Sequence, residues 1–199
     1  MLSIRKISLL YLFIIFAFLF SCSKKEEKPP DLNNTSVVKK IADSLLSIDV
    51  RFSSSGYFSS DKKLSIVAGT EAYGKNSMGI SFKLIEDKDG EFKIVYRTGN
   101  LDGSFDKCMV DKIKLSSFGG EMIYYNSKDY YMGTGGGDVY SYVIDFRKRQ
   151  VYSAHLVAEE GTGSVLYLSE NVEDRMLRQF FISYFKKDYP SLRIIQSDN

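Results

Sequence analysis

An α+β fold built on an antiparallel β-meander is what this sequence predicts, and three observations carry the prediction. Short apolar runs follow one another through the middle of the chain with no helix-length segment between them, which favours antiparallel pairing over βαβ crossovers. Two of those runs are joined by Asp87-Lys88-Asp89-Gly90, where Asp-Gly supplies the positive φ that a tight hairpin demands. A two-sided helical pattern then closes the chain, from Val172 to Asp188. The expected architecture is one sheet, open or curled into a partly closed barrel. The C-terminal amphipathic helix covers it, and a short N-terminal helix accompanies it.

The chain begins with a cationic segment, Arg5 and Lys6, and an apolar run from Leu9 to Phe20. A membrane-spanning helix needs about 20 apolar residues, whereas the core of an export signal needs about 7 to 15. This run has the length of an export signal. It ends in Leu19-Phe20-Ser21-Cys22, and a small residue directly before the cysteine resembles the lipobox of bacterial prolipoproteins. The resemblance covers residues 1–22. It implies that the signal, residues 1–21, is removed, that Cys22 carries the acyl chains, and that the mature protein is anchored by lipid in the bacterial envelope. The other readings of the run are a secreted protein cut nearby and an uncleaved anchor.

Residues 22–36 are charged, contain Pro29 and Pro30 and hold almost nothing apolar, so they read as a disordered tether. Lys25-Glu26-Glu27 is similar to acidic sorting signals that direct some lipoproteins to the outer membrane; a charged spacer is the plainer reading. Removing the signal also changes the balance of charge. Of the 27 Lys and Arg residues, two lie in the signal, which leaves 25 against 25 Asp and Glu. A neutral mature chain gives no support to a nucleic-acid partner. With Cys22 acylated, Cys108 is the one remaining thiol, so no internal disulfide is expected and stability must come from packing.

A single domain is expected over residues 37–199. Its first helix runs from about Val37 to Ile48, with Val37, Ile41, Leu45 and Ile48 on one stripe and Thr35 or Ser36 as the cap. Ser53-Ser54-Ser55-Gly56 and Ser59-Ser60-Asp61 read as loop. Strands are expected at Leu64–Ala68, Met78–Ile85, Phe92–Tyr96, Met109–Leu115, Glu121–Tyr125, Val139–Phe146, Val151–Ala158 and Val165–Leu168. The Val139–Phe146 and Val151–Val157 runs form a second hairpin across Arg147-Lys148-Arg149-Gln150. In the last helix Met176, Leu177, Phe180, Phe181, Tyr184 and Phe185 fill one half of the wheel, Asn171 is the candidate cap, and Pro190 sets the stop. The tail Leu192–Ile195 can add a short strand.

Catalytic chemistry has one candidate pair, Cys108 and the sole histidine, His155. A thiol followed by an imidazole resembles the Cys…His order of the NlpC/P60 cell-wall peptidases, which would make the protein an envelope hydrolase. That family places Asp directly before the cysteine and small residues after it, at a helix start that lowers the thiol pKa. Here Lys107 precedes Cys108, Met109-Val110 follow, and the segment reads as strand. One thiol and one imidazole cannot supply a zinc site, and counting back from Gly90 or Gly103 puts Ile85 or Thr98 where a calcium loop needs an acid. Neither a metal nor a cofactor is therefore expected. Gly133-Thr134-Gly135-Gly136-Gly137-Asp138 leads into a strand rather than a helix, so it reads as an inter-strand loop and not a phosphate cradle.

Tyrosine crowds the flanks of that loop: Tyr124, Tyr125, Tyr130, Tyr131, Tyr140 and Tyr142. Adjacent strand residues point to opposite faces, so one of each pair can form a recognition surface for a protein partner; the competing reading is ordinary strand composition. Together these readings lead to a lipid-anchored envelope protein whose domain is a noncatalytic binding or structural module. An envelope cysteine hydrolase and a periplasmic inhibitor or immunity-type lipoprotein are the alternatives.

Overall fold

The computed structural model describes residues 29–73, 78–127, 136–159 and 163–196; the expected signal, Cys22, Tyr130 and Tyr131 lie outside them. Asp31–Asn199 forms one compact unit. It holds helices α1 (Thr35–Leu46) and α2 (Arg175–Lys186), and strands β1 (Phe52–Gly56), β2 (Ser65–Tyr73), β3 (Met78–Lys88), β4 (Glu91–Arg97), β5 (Leu101–Asp102), β6 (Cys108–Ile113), β7 (Met122–Ser127), β8 (Gly136–Asp145), β9 (Gln150–Glu159), β10 (Gly163–Leu168) and β11 (Arg193–Gln196).

The strands form two sheets, not the single meander the sequence predicts, and neither closes into a barrel. The first has the order β1-β2-β3-β4, with β5 also on β3; the second has the order β11-β10-β9-β8-β7-β6. Every pairing is antiparallel except β10 with β11. The chain leaves the first sheet through Gly103, whose φ is +111°. A Cβ there would lie 2.2 Å from Ser127 Cβ and 2.3 Å from the Tyr125 hydroxyl, so glycine is what lets the two sheets approach at this crossing.

Both predicted hairpins form. Lys88 pairs with Glu91 and leaves Asp89-Gly90 as a two-residue loop, with φ of 58° and 87° at its two positions. That is the mirror-image turn whose twist matches flanking strands. Asp145 pairs with Gln150, and the Asp145 carboxylate accepts from the backbone N–H groups of Arg147 and Lys148 at 2.9 and 3.0 Å. A serine-rich segment expected as loop is instead β1, an edge strand paired residue by residue with β2 from Phe52↔Gly69 to Gly56↔Ser65.

Helix starts are set by side-chain acceptors slightly displaced from the expected caps. Asn34 caps α1 and Asp174 caps α2, where its carboxylate accepts from the N–H groups of Met176 and Leu177, both at 2.9 Å. The buried stripe of α1 is Val38 and Ala42, with Ile41, Leu45 and Leu46 packed beside them. Ser47 stops the helix in a left-handed conformation, which leaves Ile48 half-exposed at 50 % rather than on the stripe. Leu32 also packs on this cluster, so the folded unit reaches into the segment expected as tether.

Three cores separate four layers. α1 packs on one face of the first sheet through Val38, Ala42, Ile66, Ala68 and Ile85. The other face of that sheet meets the second sheet through Phe58, Val67, Ile80, Phe82 and Leu84 against Ile123, Tyr125, Tyr142 and Ile144. On the far face of the second sheet, Tyr124, Val143, Ala154, Leu156, Leu166 and Leu168 share a core with Leu177, Phe181 and Phe185 of α2. Burying a side chain of that size contributes about 1.5–3 kcal/mol, so the three α2 anchors hold the helix firmly. Met176, on the apolar half of the wheel, is 46 % exposed.

Candidate functional site

The second sheet is covered on both sides, and this decides the fate of the tyrosines. Tyr124 and Tyr125 are 1 % and 0 % exposed and Tyr142 is 7 % exposed, so three of the six expected recognition residues are core. Their alternation to opposite faces exposes neither one, because each face has its own cover. Tyr124 meets the edges of Phe180 and Tyr184, with ring centroids 5.0 and 5.1 Å away. Tyr125 stacks on Tyr142 at 5.8 Å. The Tyr142 hydroxyl donates to the Asp102 carboxylate at 2.7 Å and the Tyr125 hydroxyl to the Asp102 carbonyl at 3.1 Å. Burial pushes the Tyr142 and Tyr124 hydroxyls far above the ordinary tyrosine range, so they remain protonated donors.

Tyr140 has a different environment, set by cross-strand register. One row runs across the inner face of the second sheet, the face turned toward the first: Cys108↔Ser127, Ser127↔Tyr140, Tyr140↔His155, His155↔Tyr167 and Tyr167↔Ile195. Directly opposed residues share a face. The Tyr140 and His155 rings stack at 4.3 Å and 6° between planes, and the Tyr167 ring lies 6.2 Å beyond. Asp138, two residues before Tyr140, accepts from His155 Nε2 at 3.0 Å, which orients the ring and leaves Nδ1 for another partner. Burial, then Asp138 and Asp102, raise the Tyr140 pKa, so this hydroxyl too is a donor at neutral pH.

This end of the second sheet has two unequal faces. Leu156, Leu166 and Leu168 on the outer side are fully buried. On the inner side of the same strands His155, Val157, Val165, Tyr167 and Ile195 are only half-buried. The buried second-sheet members of the inter-sheet core include Ile123, Tyr125, Tyr142 and Ile144 of β7 and β8; Tyr140 and Val151 pack at its margin, and His155, Val157, Val165 and Tyr167 lie beyond it. The result is an aromatic and aliphatic platform on β8–β11, with one carboxylate and one imidazole at its border. Such a surface can bind by stacking and apolar contact while Tyr140 and His155 supply directional polar groups.

The same register separates the candidate catalytic pair. Cys108 and His155 sit in one row but on strands β6 and β9, with Ser127 and Tyr140 between them. Three strand intervals of about 4.8 Å put their backbones about 14 Å apart, too far for the imidazole to take the thiol proton. The thiol instead contacts the Phe105 carbonyl at 3.6 Å. Among the described residues no group of three or more His, Cys, Asp or Glu could hold a metal ion. Of the glycine-rich stretch, Gly136, Gly137 and Asp138 belong to β8, and Gly133, Thr134 and Gly135 lie outside the described residues.

Tyr167 as a member of the row and Asp138 as the partner of His155 were not anticipated from sequence. The expected loop, Arg147–Gln150, would set Tyr140 opposite Val157, whereas the strands pair from Asp145↔Gln150, which sets it opposite His155. No family model, curated protein or solved structure matches the chain.

Proposed function

We propose that the protein is a lipid-anchored lipoprotein of the bacterial envelope, held through Cys22 in the outer membrane, whose domain is a noncatalytic binding module. The observation that carries the binding role is the unequal burial of the two faces of β9 and β10, with the Tyr140–His155–Tyr167 row on the open one. In this reading α2 closes the other face of the sheet permanently and the platform meets a protein partner in the envelope. The lipobox-like Leu19-Phe20-Ser21-Cys22 supports the anchor. The separation of Cys108 from His155 favours binding over hydrolysis.

Two measurements test the two halves of the proposal. Bacteria expressing the full chain and fed radiolabelled palmitate should label it, and Cys22→Ser should abolish the label and release the protein from the membrane fraction. A labelled Cys22→Ser protein would defeat the anchor. Hydrogen exchange of the protein in envelope vesicles, compared with the detergent-purified chain, should show added protection over residues 153–169. Equal exchange in both states would defeat the binding role.

A further inference from the structure

The face of the first sheet under α1 is apolar on one half only. Ile66, Ala68, Ile85 and Ile94 meet the helix, whereas the adjoining positions are Thr70, Ser81, Lys83 and Arg97. Register fixes this: Ala68↔Lys83↔Arg97 forms one row and Thr70↔Ser81 the next, all on the side of the sheet that Ala68 and Ile85 turn toward α1. Thr70 is 4 % exposed, and Ser81 and Lys83 are each 7 % exposed. A lysine buried to this degree ordinarily has a carboxylate partner. Lys83 has none among the described residues: its ammonium donates to Thr70 Oγ1 and, at 3.1 Å, to the Ser81 carbonyl, which uses two of its three N–H groups.

The residue directly opposite is a second cation. Cβ atoms so paired stand about 4.5–5.5 Å apart, and like charges there repel. Arg97 is exposed and, among the described residues, forms no ion pair that would neutralise it. Burial, and then Arg97, lower the Lys83 pKa to about 8, so the amine is still mostly charged at neutral pH. The sheet thus brings two cations together, one of them desolvated, beside the Thr70 hydroxyl; the Ser81 hydroxyl already donates to the Thr98 carbonyl at 3.2 Å. An acceptor-rich dianion suits the two cations and the Thr70 hydroxyl. It takes the third ammonium N–H and the guanidinium fork, and it cancels the repulsion between them.

We propose that Lys83 and Arg97, with Thr70 beside them, form a binding site for a phosphate or sulfate group. The group is either a free anion or the head of a larger envelope molecule. The site lies on the other sheet from the aromatic row and does not depend on it.

Isothermal titration of the full-length chain in detergent at pH 7, at constant ionic strength set with chloride, tests the site. Inorganic phosphate, sulfate and glycerol 3-phosphate are the probes. Saturable binding is expected, weakened at least tenfold by Arg97→Gln, which changes an exposed side chain and leaves the core intact. Lys83→Met should weaken it at least as much, and Lys83→Arg should restore part of it. Tightest binding by inorganic phosphate or sulfate assigns a free anion. At least tenfold tighter binding of glycerol 3-phosphate assigns an esterified one. The proposal is overturned if no probe binds saturably, or if binding survives Arg97→Gln and Lys83→Met unchanged.

Discussion

Replacing Lys83 by methionine keeps the length of the side chain and removes a buried charge, and the structure sets both the sign and the pH range of the effect. In the unfolded chain the amine titrates near its ordinary 10.5; in the fold it titrates at about 8, because burial and then Arg97 disfavour the ammonium. A lowered lysine pKa means that the folded state binds this proton more weakly than the unfolded state does. The penalty is therefore complete below pH 8, shrinks between pH 8 and 10.5, and is absent above. At about 1.4 kcal/mol per pH unit, a fall from 10.5 to about 8 corresponds to about 3–4 kcal/mol at most. Lys83 is nearly fully buried, so solvent does little to dilute this figure. Urea unfolding of wild type and Lys83→Met in chloride buffers, from pH 7 to 10.5, measures it. The advantage of the methionine variant over wild type should fall by about 3 kcal/mol across that range, and phosphate should flatten the dependence by holding the ammonium charged. A difference between the two proteins that does not change with pH would refute the reasoning. A lysine that lowers stability at neutral pH is the kind of residue a binding site retains.

Other perturbations probe the packing and the caps. Phe181→Ala, at a fully buried site beneath α2, should cost about 3–5 kcal/mol in denaturant unfolding, whereas Met176→Ala on the same helix should cost far less. Asp174→Ala removes the α2 cap and should cost about 0.5–2 kcal/mol in the same assay. The Leu177 N–H holds the Asp174 carboxyl below the usual range, so the stability it contributes is present above the ordinary Asp pKa and is lost as pH falls through the lowered one; acid titration of wild type against Asp174→Ala reads this. Gly103→Ala should prevent the two sheets from docking, detected as loss of cooperative unfolding, because its Cβ would stand 2.2 Å from Ser127 Cβ. Gly90→Ala, with nothing within 4 Å, should cost only about 1 kcal/mol, the strain of its φ of +87°.

Much of the local structure was legible in the sequence because it is governed by neighbours along the chain. Alternation and the Asp89-Gly90 turn determine β3–β4. The second hairpin was legible as a hairpin, but its pairing starts at Asp145↔Gln150, one residue earlier on each strand than the expected loop, and that shift is what brings Tyr140 opposite His155. The division into two sheets was not legible. It depends on where the chain turns away at Gly103 and on what later packs behind each face, and nothing local in Leu101–Cys108 signals that. The same long-range fact buries Tyr124 and Tyr125 together, which alternation by itself does not anticipate. Ser53-Ser54-Ser55 has loop composition, yet it is strand because β2 offers it an edge. Lys83 reads in sequence as the polar, solvent-facing member of an alternating strand. Its burial is apparent only once the rows of the first sheet are assembled.

The central claim is that the half-open Tyr140–His155–Tyr167 face is where this protein meets its partner. A photoreactive phenylalanine analogue placed at Tyr167 of the full-length chain, irradiated in living cells, tests that most directly. One discrete adduct is predicted, lost on His155→Ala and not reproduced from the analogue at Tyr57, an exposed position on the segment after β1. No adduct from position 167, or the same adduct from both positions, would contradict the claim.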